Sequence, residues 1–349
     1  MPTRMWQEIQ DQPDVAARLL EAAGGGTGGA RAAQGATIAA CRTDLRGVTR
    51  LILAGTGASL AACRVGQYAF MQYAGLLPHV LPAAELDYVQ PAPGTLVILV
   101  SQSGQSLETQ TAVDSLKARS IPFWGITNNP DSYLARNANR ALLMHAGEEV
   151  SSATKTYMAT LVLFALLAGG DQAAQHIPAD LHATLAAAAD PISRWAEALL
   201  NTRVGYILGM GPLGATASQG ALLMKEKTFL HIEGMSLSEF RHGNIEVVTP
   251  GLPIIVLAVT PAQAAEAVKH AEYFASIGAE VCLITDSPVE ASRLPADRIL
   301  QVQNGGGAYT GQLQVVVPLQ LLAERVAVRK GHDVDGFRYI AKVVDKYKL

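Results

Sequence analysis

The chain is poor in charge and almost devoid of cysteine. Of its 349 residues, 16% are charged, and the net charge is −3. Nucleic-acid binders concentrate basic residues on one face, so this balance argues against a nucleic-acid partner. The three cysteines, Cys41, Cys63 and Cys282, lie far apart and form no CxxC or Cys/His cluster. That spacing excludes a disulfide framework and a zinc site, and we expect no bound metal. The N-terminal Met-Pro-Thr-Arg-Met-Trp-Gln-Glu lacks the apolar centre of a signal peptide. The longest apolar run, Tyr157 to Gly170, is too short to span a bilayer and reads as a core helix. A soluble, cytoplasmic protein without membrane partners is therefore expected.

What the chain does have is apolar material, 49% of its residues, enough for a large buried core. Short apolar runs alternate with helical patterns, which predicts parallel sheets covered by helices. In the first half the runs are Arg50–Ala54, Leu96–Val100, Phe123–Thr127 and Ala141–Met144. In the second half they are Val204–Leu208, Ile254–Val259, Val281–Thr285 and Ile299–Val302. Each set opens with a strand and a Gly-x-Gly turn, Gly55-Thr56-Gly57 and Gly209-Met210-Gly211. We therefore expect an α/β protein with two doubly wound, flavodoxin-like parallel-sheet subdomains related by internal duplication. The expected division is a helical lead-in over 1–48, subdomains over 49–185 and 186–330, and a tail over 331–349. Within the lead-in, the glycine-rich run Gly24–Gly29 reads as a flexible connection, because no strong strand precedes it.

The most informative stretch follows the second strand. Leu96–Val100 breaks into Ser101-Gln102-Ser103-Gly104-Gln105-Ser106, and a helical pattern begins at Leu107. Hydroxyls, an amide and free backbone N–H groups meet there at a helix N-terminus, which favours an anion. The loop has no lysine or arginine, so it suits a phosphate ester held by neutral hydrogen bonds. A strand-to-helix turn with serine caps accounts equally well for the same residues. The second copy has Val259-Thr260-Pro261-Ala262-Gln263 at this place, with neither the hydroxyl density nor the glycine turn. One phosphate site per chain is expected, in the first copy.

Gly209-Met210-Gly211-Pro212-Leu213-Gly214 matches the dinucleotide fingerprint GxGxxG. The acidic residue expected at the end of the next strand is missing, since Ile254–Val259 is followed by Thr260. The first turn carries Leu60 where the third glycine would stand, and there is no GxxxxGK[ST]. A nucleotide is set aside, and no cofactor is expected.

Gly57-Ala58-Ser59, the Ser101–Ser106 loop and the duplicated units together resemble the tandem sugar-isomerase (SIS) domain family, over most of the chain from about residue 45 onward. More specific matches follow in order: Gly220–Glu226, then His231-Ile232-Glu233-Gly234, then Glu239-Phe240-Arg241-His242-Gly243, and finally the tail Asp333–Lys342. The resemblance assigns the sugar phosphate to Ser59, Ser101, Gln102, Ser103 and Ser106. It makes Glu226 the carboxylate that moves a proton between C1 and C2. It makes His242 the ring-opening histidine, donated across a homodimer interface, and Lys342 a tail lysine able to form a Schiff base with the ketose. Ser151, Ser152 and Thr154 fall in the family's sugar-holding loop, with a hydroxyl displaced, and Leu223 stands where the family has a lysine. The chain begins almost directly at the SIS unit, so no glutaminase part is expected, and glutamine is not expected as an ammonia source within this polypeptide.

The chemistry fits these residue types. Aldose–ketose interconversion needs one partly desolvated carboxylate over adjacent carbons. Glu226 should sit near the C-terminus of the helix after Gly211-Pro212, where the macrodipole disfavours its charge. An ion pair with Lys225 or Lys227 would be the structural alternative. Ring opening suits a histidine, although a loop histidine such as His242 is also commonly a surface residue. The other seven histidines show no ligand spacing. Ser236-Leu237-Ser238-Glu239 reads as a capping box. Lys342 stands in an apolar context, Ile340-Ala341-Lys342-Val343-Val344, suited to an imine-forming amine or to a snorkelling tail lysine. The leading expectation is an enzyme, a phosphosugar isomerase that takes an amino-sugar 6-phosphate and releases or uses free ammonia. A fructosamine-6-phosphate deglycase is the alternative, and a non-catalytic phosphosugar-binding regulator a third.

Overall fold

The computed structural model describes residues 2–25, 29–90, 92–289, 292–339 and 341–342. Gly26, Thr27 and Gly28 of the glycine-rich run lie outside the described residues, as do Ile340 and the tail from Val343.

Three helices come first, α1 (Arg4–Gln10), α2 (Gln12–Ala23) and α3 (Gly29–Leu45). The first sheet follows, with β1 (Arg50–Gly55), α4 (Ala58–Ala69), β2 (His79–Pro82), β3 (Thr95–Val100), α5 (Leu107–Ala118), β4 (Phe123–Thr127), α6 (Tyr133–Asn137) and β5 (Arg140–Leu143). Then come α7 (Lys155–Ala168), α8 (Asp171–Ala174) and α9 (Ile177–Ala198). The second sheet is built from β6 (Val204–Gly209), α10 (Leu213–Thr228), β7 (His231–Ser236), α11 (Leu237–Phe240), β8 (Pro253–Ala258), α12 (Pro261–Ser276), β9 (Glu280–Thr285), β10 (Ile299–Gln301) and α13 (Gly311–Arg329).

Both sheets are five-stranded and wholly parallel. The orders β2-β1-β3-β4-β5 and β7-β6-β8-β9-β10 are the same flavodoxin-like winding, as duplication requires. Eight strands fall on the apolar runs read from the sequence. The other two, β2 and β7, are mostly half-buried and carry no continuous apolar run, since His79 and Pro82 stand at the ends of β2 and His231, Glu233, Gly234 and Ser236 interrupt β7. In β7, Gly234 is required by packing, because a Cβ there would meet the Ala217 carbonyl oxygen of α10 at 2.2 Å.

Two compact units result. One holds the first sheet and comprises Asp14–Glu149, Ala153–Gln175 and the tail from Arg338. The other holds the second sheet and comprises the chain up to Pro13, Val150–Ser152 and His176–Phe337. Residues 185 and 186, where the sequence reading placed a boundary, lie inside α9, all of which belongs to the second unit.

The first unit's core packs Ile52, Val97, Leu99, Val113, Leu116, Phe123 and Leu134, each such side chain contributing about 1.5–3 kcal/mol when fully buried. Helix α7 is buried along its whole length, its apolar stretch from Leu161 to Ala168 following a first half that includes Thr156 and Thr160, and Gly169 in the left-handed region (φ +94°) ends it. Its Phe164 packs edge-on against Phe70 and leaves no room for a side chain at Gly66 of α4. The second core joins Leu208, Ile254, Val256 and Leu283 to Phe240 and Phe274. Among the described residues no helix is long and apolar enough to cross a membrane.

Candidate functional site

In the first unit, β1 and β3 are adjacent parallel strands, paired through Ala54 and Leu99. The order reverses between them, so the crevice beyond their carboxyl ends is the topological switch point, where open α/β sheets bind ligands. Ser59, half-buried in the first turn of α4, follows β1, and residues 101–106 follow β3.

The loop is organised by its own hydroxyls. Ser106 is the N-cap of α5, its Oγ accepting from Thr109 N at 3.3 Å. Thr109, which no motif marks in the sequence, donates its hydroxyl to Ser101 Oγ (3.0 Å) and lies 2.8 Å from Ser106 Oγ. Since the Thr109 hydrogen goes to Ser101, Thr109 must accept from Ser106, and the donors run Ser106 to Thr109 to Ser101. Ser101 Oγ accepts a second bond from Gly104 N at 3.1 Å. A hydroxyl has two acceptor sites and one hydrogen, so Ser101 keeps its own O–H for a further acceptor. Ser103 Oγ accepts from Gln105 N at 3.2 Å, and the Gln102 carbonyl accepts from Asn128 N at 3.0 Å and Thr127 Oγ1 at 3.2 Å. Only glycine fits position 104. Its φ is +61°, and a Cβ would sit 2.3 Å from Ser132 Oγ and 2.9 Å from Thr127 Oγ1. A serine cap and a free hydroxyl donor thus coexist in this turn: Ser106 caps α5, while Ser101 is left able to donate.

In the second unit, Glu226 lies two residues before the end of α10, as its distance from Gly211-Pro212 implied. Ser152 Oγ donates to Glu226 Oε2 at 2.5 Å, and neighbouring Ser151 donates to the Val334 carbonyl at 2.8 Å. Lys227 is fully buried, donates to the Gly336 carbonyl at 3.0 Å and sits 3.9 Å from the centre of the Phe337 ring. The α10 C-terminus therefore carries both the candidate carboxylate and an anchor for the tail. His242 lies just beyond α11, exposed, with its backbone N–H bonded to Glu239 O at 3.0 Å.

Several of the expected residues have protein partners that the sequence did not indicate. Ser151, Ser152 and Thr154, read as sugar-holding, are buried, and each bonds a protein group: the Val334 carbonyl, Glu226, and Glu149 through both its N–H and its hydroxyl. Lys342, read as standing in an apolar setting, instead meets a carboxylate in its own unit, Glu149 Oε2, at 3.0 Å. Local sequence could not show this partner, because it lies 193 positions away. The capping box at Ser236 does not form. Ser236 occupies the N-cap position of α11, but its hydroxyl pairs with that of Ser238 (2.7 Å) and makes no cap bond.

The dinucleotide fingerprint has a packing explanation. A Cβ at Gly209 would lie 2.1 Å from the backbone of Leu213, and one at Gly214 would lie 3.2 Å from the Ser236 backbone. Gly211 has φ +53°. The glycines let α10 start close against β6 and β7, without any nucleotide. Burial pushes the thiols of Cys41 and Cys282 up to about 12 and about 11, and that of Cys63 up as well, so none is a thiolate nucleophile near neutrality. No group of three or more His, Cys, Asp or Glu able to hold a metal occurs among the described residues.

Comparison with known proteins identifies the family and the fold. The SIS domain family model matches residues 44–168 and 199–325. A glutamine–fructose-6-phosphate aminotransferase (isomerizing) from Gloeobacter violaceus is 33% identical over 97% of this chain; the chain spans 58% of that relative's length. The C-terminal domain of glucosamine-fructose-6-phosphate aminotransferase from Francisella tularensis superposes with a TM-score of 0.84 at 23% identity, covering 96% of this chain and 98% of that one. A glucosamine-6-phosphate deaminase from Thermotoga maritima superposes with a TM-score of 0.73 at 22% identity, covering 99% and 100%. Two matched segments, each carrying one of the two identically ordered sheets, leave one conclusion: the chain belongs to the SIS domain family and contains that domain twice.

Proposed function

We propose that the protein is a phosphosugar aldose/ketose isomerase acting on an amino-sugar 6-phosphate, with free ammonia as product or co-substrate. The observation that carries this reading is the Ser152–Glu226 contact, which aims a carboxylate at the end of α10 by a hydroxyl donor. Proton transfer between neighbouring carbons needs a base held in one orientation. Ser152 then acts through Glu226 rather than on the sugar.

In this reading Ser59, Ser101, Gln102, Ser103 and Ser106 hold the phosphate at the switch point of the first sheet. The absence of Lys or Arg from the loop favours neutral donors at a helix N-terminus. His242 opens the ring, and its exposure suits donation to a second copy of the chain. Glu226 removes the proton from C2 of the open-chain amino aldose; the C2–H electrons form the C1=C2 bond, and the C1 carbonyl oxygen takes up a proton to give an enol. The same carboxylate returns the proton to C1 while the C2 amine gives up one of its own, leaving a C1 hydroxyl and an imine at C2. Water adds to that imine and ammonia leaves, giving the ketose 6-phosphate. The reverse sequence uses ammonia. Lys342 provides an amine that can engage the ketose carbonyl. The aminotransferase and deaminase names of the similar proteins fit this chemistry.

Incubation with glucosamine 6-phosphate, galactosamine 6-phosphate and fructoselysine 6-phosphate, with ammonia and free lysine measured, tests the reading. Ammonia from an amino sugar is the expected result. Lysine release would replace it by a deglycase. Tight binding of phosphosugar without turnover would replace it by a regulator.

A further inference from the structure

Glu149 has no part in the proton transfer above, and no motif marks it. It lies between β5 and α7 in the first unit, with its side chain 0% exposed. Its Oε1 accepts from Thr154 N (3.0 Å) and Thr156 N (3.1 Å), with Thr154 Oγ1 at 3.4 Å. Its Oε2 accepts from Thr156 Oγ1 (2.6 Å) and Lys342 Nζ (3.0 Å). Thr154 is the N-cap residue of α7 but makes no cap bond with its own side chain. Glu149 therefore supplies the cap from five residues upstream, placing its charge at the positive end of a 14-residue helix. A buried carboxylate persists only when its charge is matched and its oxygens are hydrogen-bonded. Here the helix end and its threonines hold the carboxylate, and the carboxylate in turn holds Lys342.

We propose that Glu149 is the positioning residue for Lys342: α7 fixes the carboxylate, and the carboxylate fixes the tail amine that adds to the open-chain ketose phosphate. This rests on the reading of Lys342 as the imine-forming amine. In that step the ammonium first loses one proton to solvent. The free amine then adds to the carbonyl carbon, and the C–O π electrons go to oxygen. Both remaining nitrogen protons pass to that oxygen, which leaves as water as the C=N bond closes. Glu149 undergoes no net change.

Trapping with fructose 6-phosphate and cyanoborohydride, read by peptide mass spectrometry on the full chain, tests this. The wild type should carry its reduced adduct on Lys342. Glu149→Gln keeps a carbonyl oxygen for the Thr154 and Thr156 amides but turns an NH2 toward Lys342. It should slow labelling by about tenfold or more while its circular-dichroism melt stays near wild type. Thr156→Val, which removes a different bond to Oε2, should label within about twofold of wild type, because the Lys342 link survives. If Glu149→Gln does not fold, Glu149→Asp, which keeps the charge but withdraws it by one methylene, carries the same comparison. Undiminished labelling of the Glu149 variant at Lys342 would overturn the positioning role and leave the reading of Lys342 intact. Equal slowing in Thr156→Val would also overturn it, since that marks general loosening. No adduct on wild-type Lys342 would remove the amine's role and the proposal with it.

Discussion

The same turn is built differently in the two sheets. After β3, residues 101–106 intervene before α5; after β8, only Val259 and Thr260 precede α12. The longer turn uses Gly104 in the left-handed region and a chain of three hydroxyls to leave Ser101 able to donate. The shorter one closes the helix end on itself. Thr260 Oγ1 accepts from Gln263 N, Gln263 Oε1 accepts from Val259 N, and Pro261 has no N–H to offer. Duplication thus copied the strand order but not the hydroxyl-lined turn. A helix N-terminus at a switch point becomes a candidate site only when its donors are left unclaimed.

That contrast can be broken at several points. The largest effect belongs to Glu226. Glu226→Gln should lower turnover by about 10²–10⁴-fold while phosphosugar affinity, followed by calorimetry, stays nearly unchanged; lost affinity would make Glu226 a structural residue. Gly104→Ala comes next, because the added Cβ collides with Ser132 and the positive φ is strained. It should destabilise the fold by about 1 kcal/mol or more and abolish the rise in Tm that a phosphosugar produces. Thr109→Val interrupts the hydroxyl chain at its middle. We expect a loss of about 1 kcal/mol in phosphosugar binding, roughly fivefold in Kd, and an unchanged Kd would detach the relay from the ligand. Smallest for function is Thr260→Ala in the other sheet. Loss of its cap should cost about 1 kcal/mol of stability with no change in phosphosugar affinity, and a change would mean the second turn also binds.

Legibility followed burial. Strands such as Leu96–Val100, buried on both faces, announce themselves as apolar runs. β2 and β7 stayed hidden because polar residues, a proline or a glycine interrupt them, His79 and Pro82 in the first and His231, Glu233, Gly234 and Ser236 in the second. The serine loop was legible because so many hydroxyls are unusual at a strand end, whereas Glu226 was singled out only by the resemblance to the SIS family, a glutamate within a helix being ordinary. Thr109 and Glu149 were not, since a threonine in a helix and a glutamate in a loop are ordinary until their partners are known. The Ser151–Ser152–Thr154 stretch was found from the sequence, but its hydroxyls serve Val334, Glu226 and Glu149.

The sequence by itself determined the α/β class, the duplication, the position of the serine-rich loop and the place of Glu226 near the end of α10. These are local properties, carried by periodicity and by residues close together along the chain. Only the tertiary structure decided that Ser152 aims Glu226, that Thr109 leaves Ser101 able to donate, and that Glu149 holds Lys342. A hydrogen bond is set by distances of about 3 Å in space, and folding alone brings residues 149 and 342 to that separation.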